Sequence, residues 1–216
     1  MKPYYQDSAV TIYHGDCREV VPTLGRFDLL LTDPPYGLGE RWQGGTWGAA
    51  PMYADARRWD VRPDDGILLG MIQQAAAGIV WGGNYFTLPP SRGFLLWVKV
   101  PAMDTMADAE YAWTNLDRPA KAFSGHRNPD GKRDHPTQKP LALMRWCLET
   151  VPTAQTVLDP FAGSGTTGRA AKDLGRKAVL VEMNERYCEI AARRMGQEVL
   201  CFDNLNLTGE APRPGT

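Results

Sequence analysis

The sequence predicts an α/β fold with a mostly parallel central sheet. Short apolar runs alternate along the chain with stretches of helical periodicity, which is the order of strands joined by crossover helices. The runs that are apolar almost without interruption, as in strands covered on both faces, are residues 27–32, 78–82, 156–159 and 178–182. The runs at 94–100 and 109–114 have no helical stretch between them, so they are expected to form an antiparallel pair at one edge.

The remaining elements complete a sheet of six or seven strands. A first strand is predicted at 10–13, ahead of the run at 27–32. Helices are predicted at about 66–77, 140–151, 166–175 and 184–196. The last of them contains ERYCEIAARRM, whose apolar residues recur at spacings of three and four, as in an amphipathic helix.

Length, charge and cysteine content narrow the class of protein. The 216 residues suit a single domain, predicted over 1–208, with a disordered tail at 209–216. The 24 basic and 25 acidic residues exclude the global positive field of a nonspecific nucleic-acid binder. The four cysteines lack the spacing of a zinc site or a disulfide framework, so we expect a cytoplasmic protein without a metal. No signal peptide or membrane-spanning run is recognised, and no membrane partner is expected.

Two segments do not fit the pattern of the sheet. Residues 37–65 contain five glycines and three tryptophans, and they are too long for a passive connection, so a flexible functional loop is expected there. Residues 117–139 contain six basic and three acidic side chains, a local net charge of +3 that the balanced total conceals. This basic segment, and its 117–134 portion above all, is the surface we expect to contact a polyanion.

The motif Asp33-Pro34-Pro35-Tyr36 follows the strand at 27–32, at the sheet edge where open α/β folds bind ligands. A carboxylate and a rigid proline-flanked carbonyl can accept both N–H bonds of an exocyclic base amine and localise its lone pair. Tyr36 offers a face on which an extruded base can stack. The segment 81–86 is expected to line the same pocket from the neighbouring strand. A strand-ending turn without chemistry would also explain two prolines at this point.

A second motif, DPFAGSGTTG at 159–168, also follows a strand and precedes a helix. Its Gly163-x-Gly165-x-x-Gly168 spacing is that of a nucleotide-binding loop, in which backbone amides approach a ligand at a helix N-terminus. No lysine follows the glycines, which excludes the phosphate loop of NTPases. Glu182 ends the next strand, where a carboxylate can bind both hydroxyls of a ribose. A tight turn between strand and helix is the alternative for the glycines alone.

Together these motifs resemble the beta class of DNA amino-methyltransferases, in which DPPY precedes the cofactor loop in a circularly permuted chain. The similarity extends over most of the protein and includes Gly15-Asp16, WGGNYF at 81–86, LWVK at 96–99 and HPTQKP at 135–140. Val98 departs from it, because relatives often have Asp there, which weakens any role for Lys99. The resemblance implies a Rossmann-like methyltransferase fold dependent on S-adenosylmethionine (SAM). It also implies an enzyme of the phage or restriction-modification type that flips adenine out of double-stranded DNA, methylates its N6 amine and releases S-adenosylhomocysteine.

By this resemblance, Asp16 accepts from the cofactor's adenine amine, Glu182 binds its ribose, and His135 to Lys139 close over its methionine end. The expected catalytic residues are Asp33, Pro34, Pro35 and Tyr36. The expected cofactor-binding residues are Asp16, His135, Thr137, Lys139, Asp159, Pro160, Phe161, Gly163, Gly165, Thr166, Thr167, Glu182 and Met183. The expected DNA-binding residues are Arg41, Arg127, Lys132 and Arg133. Relatives of this class are often dimers, which leaves a homodimer open.

Three other functions remain open from the sequence. N4 methylation of cytosine presents the same kind of amine to the same carboxylate, and only the resemblance, through Asp rather than Ser at position 33, favours adenine. An NAD-dependent oxidoreductase would explain the glycines and Glu182, but it leaves DPPY and HPTQKP without a role. A catalytically silent SAM-binding module is disfavoured by the intact DPPY.

Overall fold

The computed structural model of the protein describes residues 1–38, 60–102, 107–127 and 138–197. The strands in these ranges are β1 (Tyr5–Gln6), β2 (Val10–His14), β3 (Phe27–Thr32), β4 (Ala75–Trp81), β5 (Phe94–Lys99), β6 (Ala109–Thr114), β7 (Lys121–Gly125), β8 (Thr156–Asp159) and β9 (Lys177–Glu182). The helices in the same ranges are α1 (Cys17–Val20), α2 (Asp65–Gln73), α3 (Leu141–Glu149), α4 (Thr166–Asp173) and α5 (Glu185–Met195). Short 3-10 turns lie at Val21–Thr23 and Gly83–Tyr85.

The described strands form one sheet in the order β1-β2-β9-β8-β3-β4-β6-β5-β7. The five strands β2, β9, β8, β3 and β4 run parallel to one another, and β1 is antiparallel to β2. Strand β6 is antiparallel to both β4 and β5. The predicted α/β class, with a mostly parallel sheet and an antiparallel pair, is therefore confirmed.

The antiparallel pair was predicted correctly, but its position at the edge was wrong. Strand β7 lies outside β5 and pairs with it in parallel, so β7 forms the edge. It also falls within the basic segment, which we expected to stay outside the sheet. Its residues, KAFSG, are exposed or only partly buried, so they form no apolar run from which a strand could be recognised. The two residues of β1 are too few for a pattern.

The helix predicted at 66–77 extends too far. Helix α2 ends at Gln73, and β4 already begins at Ala75. The alanines at 75–77 favour a helix locally, but Ala75 and Ala77 pair in register with Phe27 and Leu29 of β3. Pairing with a central strand therefore decides the conformation of this stretch.

Helices cover both faces of the parallel strands. Alternate residues of β3 point to opposite sides, so Leu29 and Leu31 belong to one core cluster and Leu30 to another. The first cluster includes Leu143 of α3, and the second includes Leu68 of α2. Burial on both faces explains the uninterrupted apolar runs of these strands. None of the helices in the described ranges has the length and apolar character needed to span a membrane.

Candidate active site

A cleft of about 1340 Å³ opens at the carboxyl ends of the parallel strands. It is larger than the 300–1000 Å³ of ordinary small-molecule pockets, so it has room for two ligands side by side. The DPPY motif after β3, the glycine loop after β8 and Glu182 at the end of β9 all line it. The sheet thus brings together the two motifs that the sequence places far apart.

Asp33 lies directly after β3, with its side chain at the floor of the cleft. The Tyr36 hydroxyl donates a short hydrogen bond to Oδ1 of Asp33. The Lys139 ammonium lies 2.5 Å from Oδ2. Burial raises the pKa of Asp33, and the positive charge of Lys139 opposes that rise. Both oxygens of the expected catalytic carboxylate are therefore engaged by the protein's own groups.

Tyr36 stacks on Tyr85, with ring centroids 4.7 Å apart and planes inclined by 20°. This contact brings the predicted 81–86 segment to DPPY from the neighbouring strand β4, as expected. Gly82 makes the approach possible, because a Cβ on this residue would lie 2.0 Å from Cε1 of Tyr36. Gly82 also has a φ of +66°, which favours glycine. Burial raises the pKa of Tyr36 well above its ordinary value, with the negative charge of Asp33 as the next cause, so the hydroxyl stays protonated.

Asp60 fixes the backbone that follows the motif. Its Oδ1 accepts hydrogen bonds from the amides of Tyr36 (2.9 Å) and Gly37 (3.1 Å), and its Oδ2 accepts from Leu38 (2.7 Å). Asp60 is 9% exposed. Sequence reasoning missed this residue, because it lies in a segment that has no local pattern.

Two further charged side chains extend the site beyond Asp33. Lys139 lies 3.1 Å from Oε2 of Glu110 on β6, and the other oxygen of Glu110 pairs with Lys99 of β5. Both lysines are 7% exposed. Lys99, for which Val98 had weakened the case, is thus part of a buried network. Glu110 was missed, although an acidic residue inside a predicted strand is a signal that could have revealed it.

The opposite charges in this network keep the buried carboxylate of Glu110 and the buried ammonium of Lys139 ionised. Burial alone would lower the pKa of Lys139, but Asp33 and Glu110 together raise it well above its usual value. Burial would likewise raise the pKa of Glu110, but Lys139 and Lys99 bring it down to about 2. Glu110 and Lys139 are therefore both charged at neutral pH.

The glycine loop has the conformation expected of a nucleotide-binding turn. Gly163 and Gly165 have φ values of 51° and 78°, and α4 begins directly afterwards at Thr166. A Cβ on Gly168 would lie 2.6 Å from Leu180 of β9, so this glycine permits close packing of helix on strand. Two glycines of the G-x-G-x-x-G spacing are therefore required for their positive φ, and the third is required for close packing.

Asp159 anchors this loop from below. Its Oδ1 accepts from the Thr32 hydroxyl at 2.8 Å and from the Phe161 amide at 3.1 Å. Thr167 also bonds to this carboxyl, which burial brings to a pKa of about 6. Pro160 and Phe161 line the cleft above it. Asp159 thus connects the loop to Thr32, the last residue of β3, which directly precedes Asp33.

Glu182 lies in the cleft with both carboxylate oxygens held. Oε2 accepts from the Gly163 amide and Oε1 from the Asn184 amide, each at 2.8 Å. Burial raises the pKa of Glu182, and these amides oppose the rise. Met183, which follows, is 61% exposed in the cleft wall. This fixed carboxylate beside an exposed apolar side chain is suited to a ribose joined to a flat base.

Asp16 lies at the cleft, where it caps the N-terminus of α1. Its Oδ1 accepts from the Arg18 amide at 2.8 Å, and the Arg18 guanidinium also pairs with its carboxylate. Hydrogen bonds from Arg18 lower the pKa of Asp16. Asp16 is therefore a charged acceptor in the lining of the cleft.

The described end of HPTQKP contacts the glycine loop. Oε1 of Gln138 accepts from the Ser164 hydroxyl at 2.9 Å and from Arg194 of α5 at 3.1 Å. Arg194 also donates to the Thr166 hydroxyl at 2.8 Å. Arg194 was missed, because its partners become neighbours only in the folded chain.

Several of the expected site residues lie outside the described ranges, namely Arg41, Lys132, Arg133, His135 and Thr137. Arg127 is described, and it lies in the wall of the cleft rather than on an open basic face. It is 8% exposed and donates to the Ala107 carbonyl at 3.1 Å. Among the described residues, no cluster of His, Cys, Asp and Glu has the arrangement of a metal site.

The fold and the cleft are those of the α/β enzymes that bind a nucleotide-like cofactor, a class that includes the methyltransferases. Comparison with known proteins identifies the family. Residues 72–193, more than half of the chain, match the family described as DNA methylase, which comprises N6 and N4 amino-methyltransferases. The chain belongs to this DNA methylase family, and SAM is its cofactor.

One sequence relative and two solved structures are similar to this chain over most of its length. The Type II methyltransferase M.ScaI of Streptomyces caespitosus is 26% identical over an alignment that covers 91% of this chain and 84% of that protein. The crystal structure of the M1.HpyAVI–SAM complex superposes with a TM-score of 0.56 at 23% identity, over 87% of this chain and all of that one. The cytosine-N4-specific PvuII DNA methyltransferase gives 0.61 at 18% identity, over 93% and 91% of the two chains. The two structures establish a shared fold.

Proposed function

We propose that this protein transfers a methyl group from SAM to the N6 amine of adenine in double-stranded DNA, after the base is flipped out of the helix. The observation that carries the proposal is the position of Asp33 in the same cleft as the glycine loop and Glu182. A carboxylate that binds an exocyclic amine thus faces the place where a nucleoside cofactor fits. DNA is the substrate expected of the family.

The residues present fit the cofactor. Glu182 is held by two amides with its carboxylate in the cleft, as a ligand for ribose hydroxyls should be. Asp16 offers an acceptor for the adenine amine, and the exposed Met183 offers an apolar surface for the ring. The glycine loop at the N-terminus of α4 supports the rest of the molecule. His135 and Thr137 remain proposed contacts from the resemblance.

The chemistry needs an amine made nucleophilic and an electrophilic methyl group. When bound, SAM supplies that methyl on a sulfonium sulfur, which keeps the electrons of the broken C–S bond as the amine nitrogen forms the new N–C bond. Asp33 and the Pro34 carbonyl accept the two N–H bonds, so the nitrogen lone pair is directed at the methyl carbon. Burial raises the pKa of Asp33, which suits its carboxylate to take up the proton that the methylated amine then loses.

Adenine is proposed over cytosine because Asp rather than Ser stands at position 33, by the resemblance, and because a purine has the larger stacking area. Base–aromatic stacking contributes about 1–3 kcal/mol, and Tyr36 and Tyr85 provide the aromatic surface. N4 methylation of cytosine is the alternative outcome.

The domain extent, cellular location, DNA contacts and assembly are part of the same proposal. We expect a single domain over 1–208 that acts in the cytoplasm within a restriction-modification system. Its DNA contacts would be Arg41, Lys132 and Arg133, whereas Arg127, which is 8% exposed, belongs to the cleft wall. A homodimer stays open as the assembly, and light scattering tests it.

The proposal is tested by Asp33→Ala, because Asp33 acts on the amine rather than on the cofactor. Isothermal titration with SAM should show binding in both the wild type and the variant, whereas methyl transfer to DNA should be lost only in the variant. Substantial methylation by Asp33→Ala would overturn the role of the carboxylate. Binding of NADH in place of SAM would overturn the function.

A further inference from the structure

Both carboxylate oxygens of Asp33 contact groups of the protein itself, before any base is bound. Its Oδ2 is 2.5 Å from the Lys139 ammonium, and its Oδ1 accepts from Tyr36. A carboxylate that neutralises a buried ammonium has less negative charge available for an incoming amine. If the proposed function is right, the ammonium must loosen its contact with Asp33 when the target amine binds.

A second acceptor for Lys139 is already in place. Oε2 of Glu110 lies 3.1 Å from Nζ of Lys139, within ion-pair distance. That oxygen is buried, yet it accepts no well-aligned hydrogen bond from the part of the chain that the structure describes. The ammonium thus makes its closer contact with Asp33, and Glu110 offers a second carboxylate oxygen beside it.

Lys99 keeps Glu110 in this position. Trp97 of β5 lies opposite Glu110 of β6, and Lys99, two residues further along β5, is on the same face of the sheet. The Lys99 ammonium pairs with Oε1 of Glu110, which leaves Oε2 directed at Lys139. The four charges of Asp33, Lys139, Glu110 and Lys99 sum to zero, so a shift of Lys139 between the carboxylates leaves the net charge of the buried cluster unchanged.

We propose that Glu110 is a positioning residue that takes over the Lys139 ammonium when Asp33 accepts the target amine, and that Lys99 holds Glu110 ready for this exchange. The inference rests on the proposed function and adds a residue to its machinery. Glu110 acts through Lys139 and does not touch the base. A merely structural network would stabilise the fold without affecting the rate of transfer.

The test is Glu110→Gln, which keeps the size of the side chain and removes its charge. Lys139 would then be left with Asp33 alone, so single-turnover methyl transfer from tritiated SAM to unmethylated, PCR-amplified bacterial genomic DNA should slow by about tenfold or more. The KM for SAM should stay within about twofold, because the glycine loop and Glu182 are untouched.

Two further variants separate this role from loss of structure. On a Lys139→Met background, Glu110→Gln should cause no additional slowing, because the residue through which it acts is gone. Asp7→Asn is the matched control. It removes a carboxylate that lies 2.5 Å from the Lys172 ammonium, before β2 and at the sheet edge away from the cleft, and it should leave transfer unchanged.

The outcomes distinguish the inference from the function on which it rests. Glu110→Gln at the wild-type rate, or equal slowing with and without Lys139, would overturn the inference while methylation stands. A wild type that binds SAM but transfers no methyl to DNA would overturn the proposed function, and this inference with it.

Discussion

The amide of Tyr36 donates a 2.9 Å hydrogen bond to Asp60, and the amides of Gly37 and Leu38 donate to the same carboxylate. One buried side chain therefore sets the backbone at the end of DPPY. The orientation of Tyr36 depends on a residue that is distant in sequence and carries no chemistry itself.

We predict that Asp60→Asn impairs methyl transfer while SAM still binds. Asparagine has one acceptor oxygen for three amides, and its NH₂ group would face a backbone donor, at a cost of about 1–3 kcal/mol. Single-turnover rates and isothermal titration with SAM check this. Asp64→Asn is the control, because asparagine caps a helix as well as aspartate does and should preserve the bond to Gly66 at the start of α2. Wild-type turnover in Asp60→Asn would show that the loop does not depend on this carboxylate.

We predict that Gly82→Ala disturbs Tyr36 and abolishes most of the activity. The new methyl group would lie 2.0 Å from the Tyr36 ring, and the φ of +66° at this position adds about 1–2 kcal/mol of strain for alanine. Unfolding midpoints and transfer rates measure both effects. Gly70→Ala, in an exposed position of α2 with open space around it, should instead stabilise the fold slightly. An active Gly82→Ala enzyme with an unchanged midpoint would contradict the packing described.

Asp159 should make stability depend on pH. Its pKa of about 6 in the folded protein exceeds the unfolded value of about 3.9, so its contribution is present below about pH 4 and is lost as the pH rises through about 6. The midpoint of Asp159→Asn, which stays neutral, should therefore improve relative to that of the wild type as the pH rises from about 5 to about 8.

The control for that measurement is Asp7→Asn. Asp7 has a folded pKa of about 2, below the unfolded value, so its stabilising effect is present above about pH 4 and is lost only as the pH falls through about 2. Its midpoint difference from wild type should thus stay constant over about pH 5–8. A constant difference for Asp159→Asn as well would contradict the raised pKa of Asp159.

The basic segment should supply contacts to DNA phosphates. Replacing Lys132 and Arg133 with alanine should weaken binding to all DNA sequences and flatten the dependence of affinity on salt, because fewer counterions are released. Fluorescence anisotropy with labelled duplexes over a range of salt concentrations measures the slope. An unchanged slope would place the DNA surface elsewhere on the protein.

The parts of the fold that local pattern determines were the parts predicted well. The positions of Asp33 and Glu182 were predicted because Asp33 follows and Glu182 ends a strand with a clear apolar run, and parallel strands end at the same edge of the sheet. The contact of Glu110 with Lys139 was not predicted, because it depends on β6 lying beside β4. No local pattern contains this strand order. Strand β7 was missed because an exposed edge strand buries too little to leave an apolar signature.

In the proposed function, Asp33 directs methylation to the N6 amine of adenine in DNA. The most direct measurement is to incubate unmethylated DNA with SAM and either the wild type or Asp33→Ala, digest it to nucleosides and identify the products by mass spectrometry. We expect N6-methyladenine with the wild type and none with the variant. N4-methylcytosine as the main product would contradict the choice of base and leave amine methylation standing, and the absence of any methylated nucleoside would contradict the function itself.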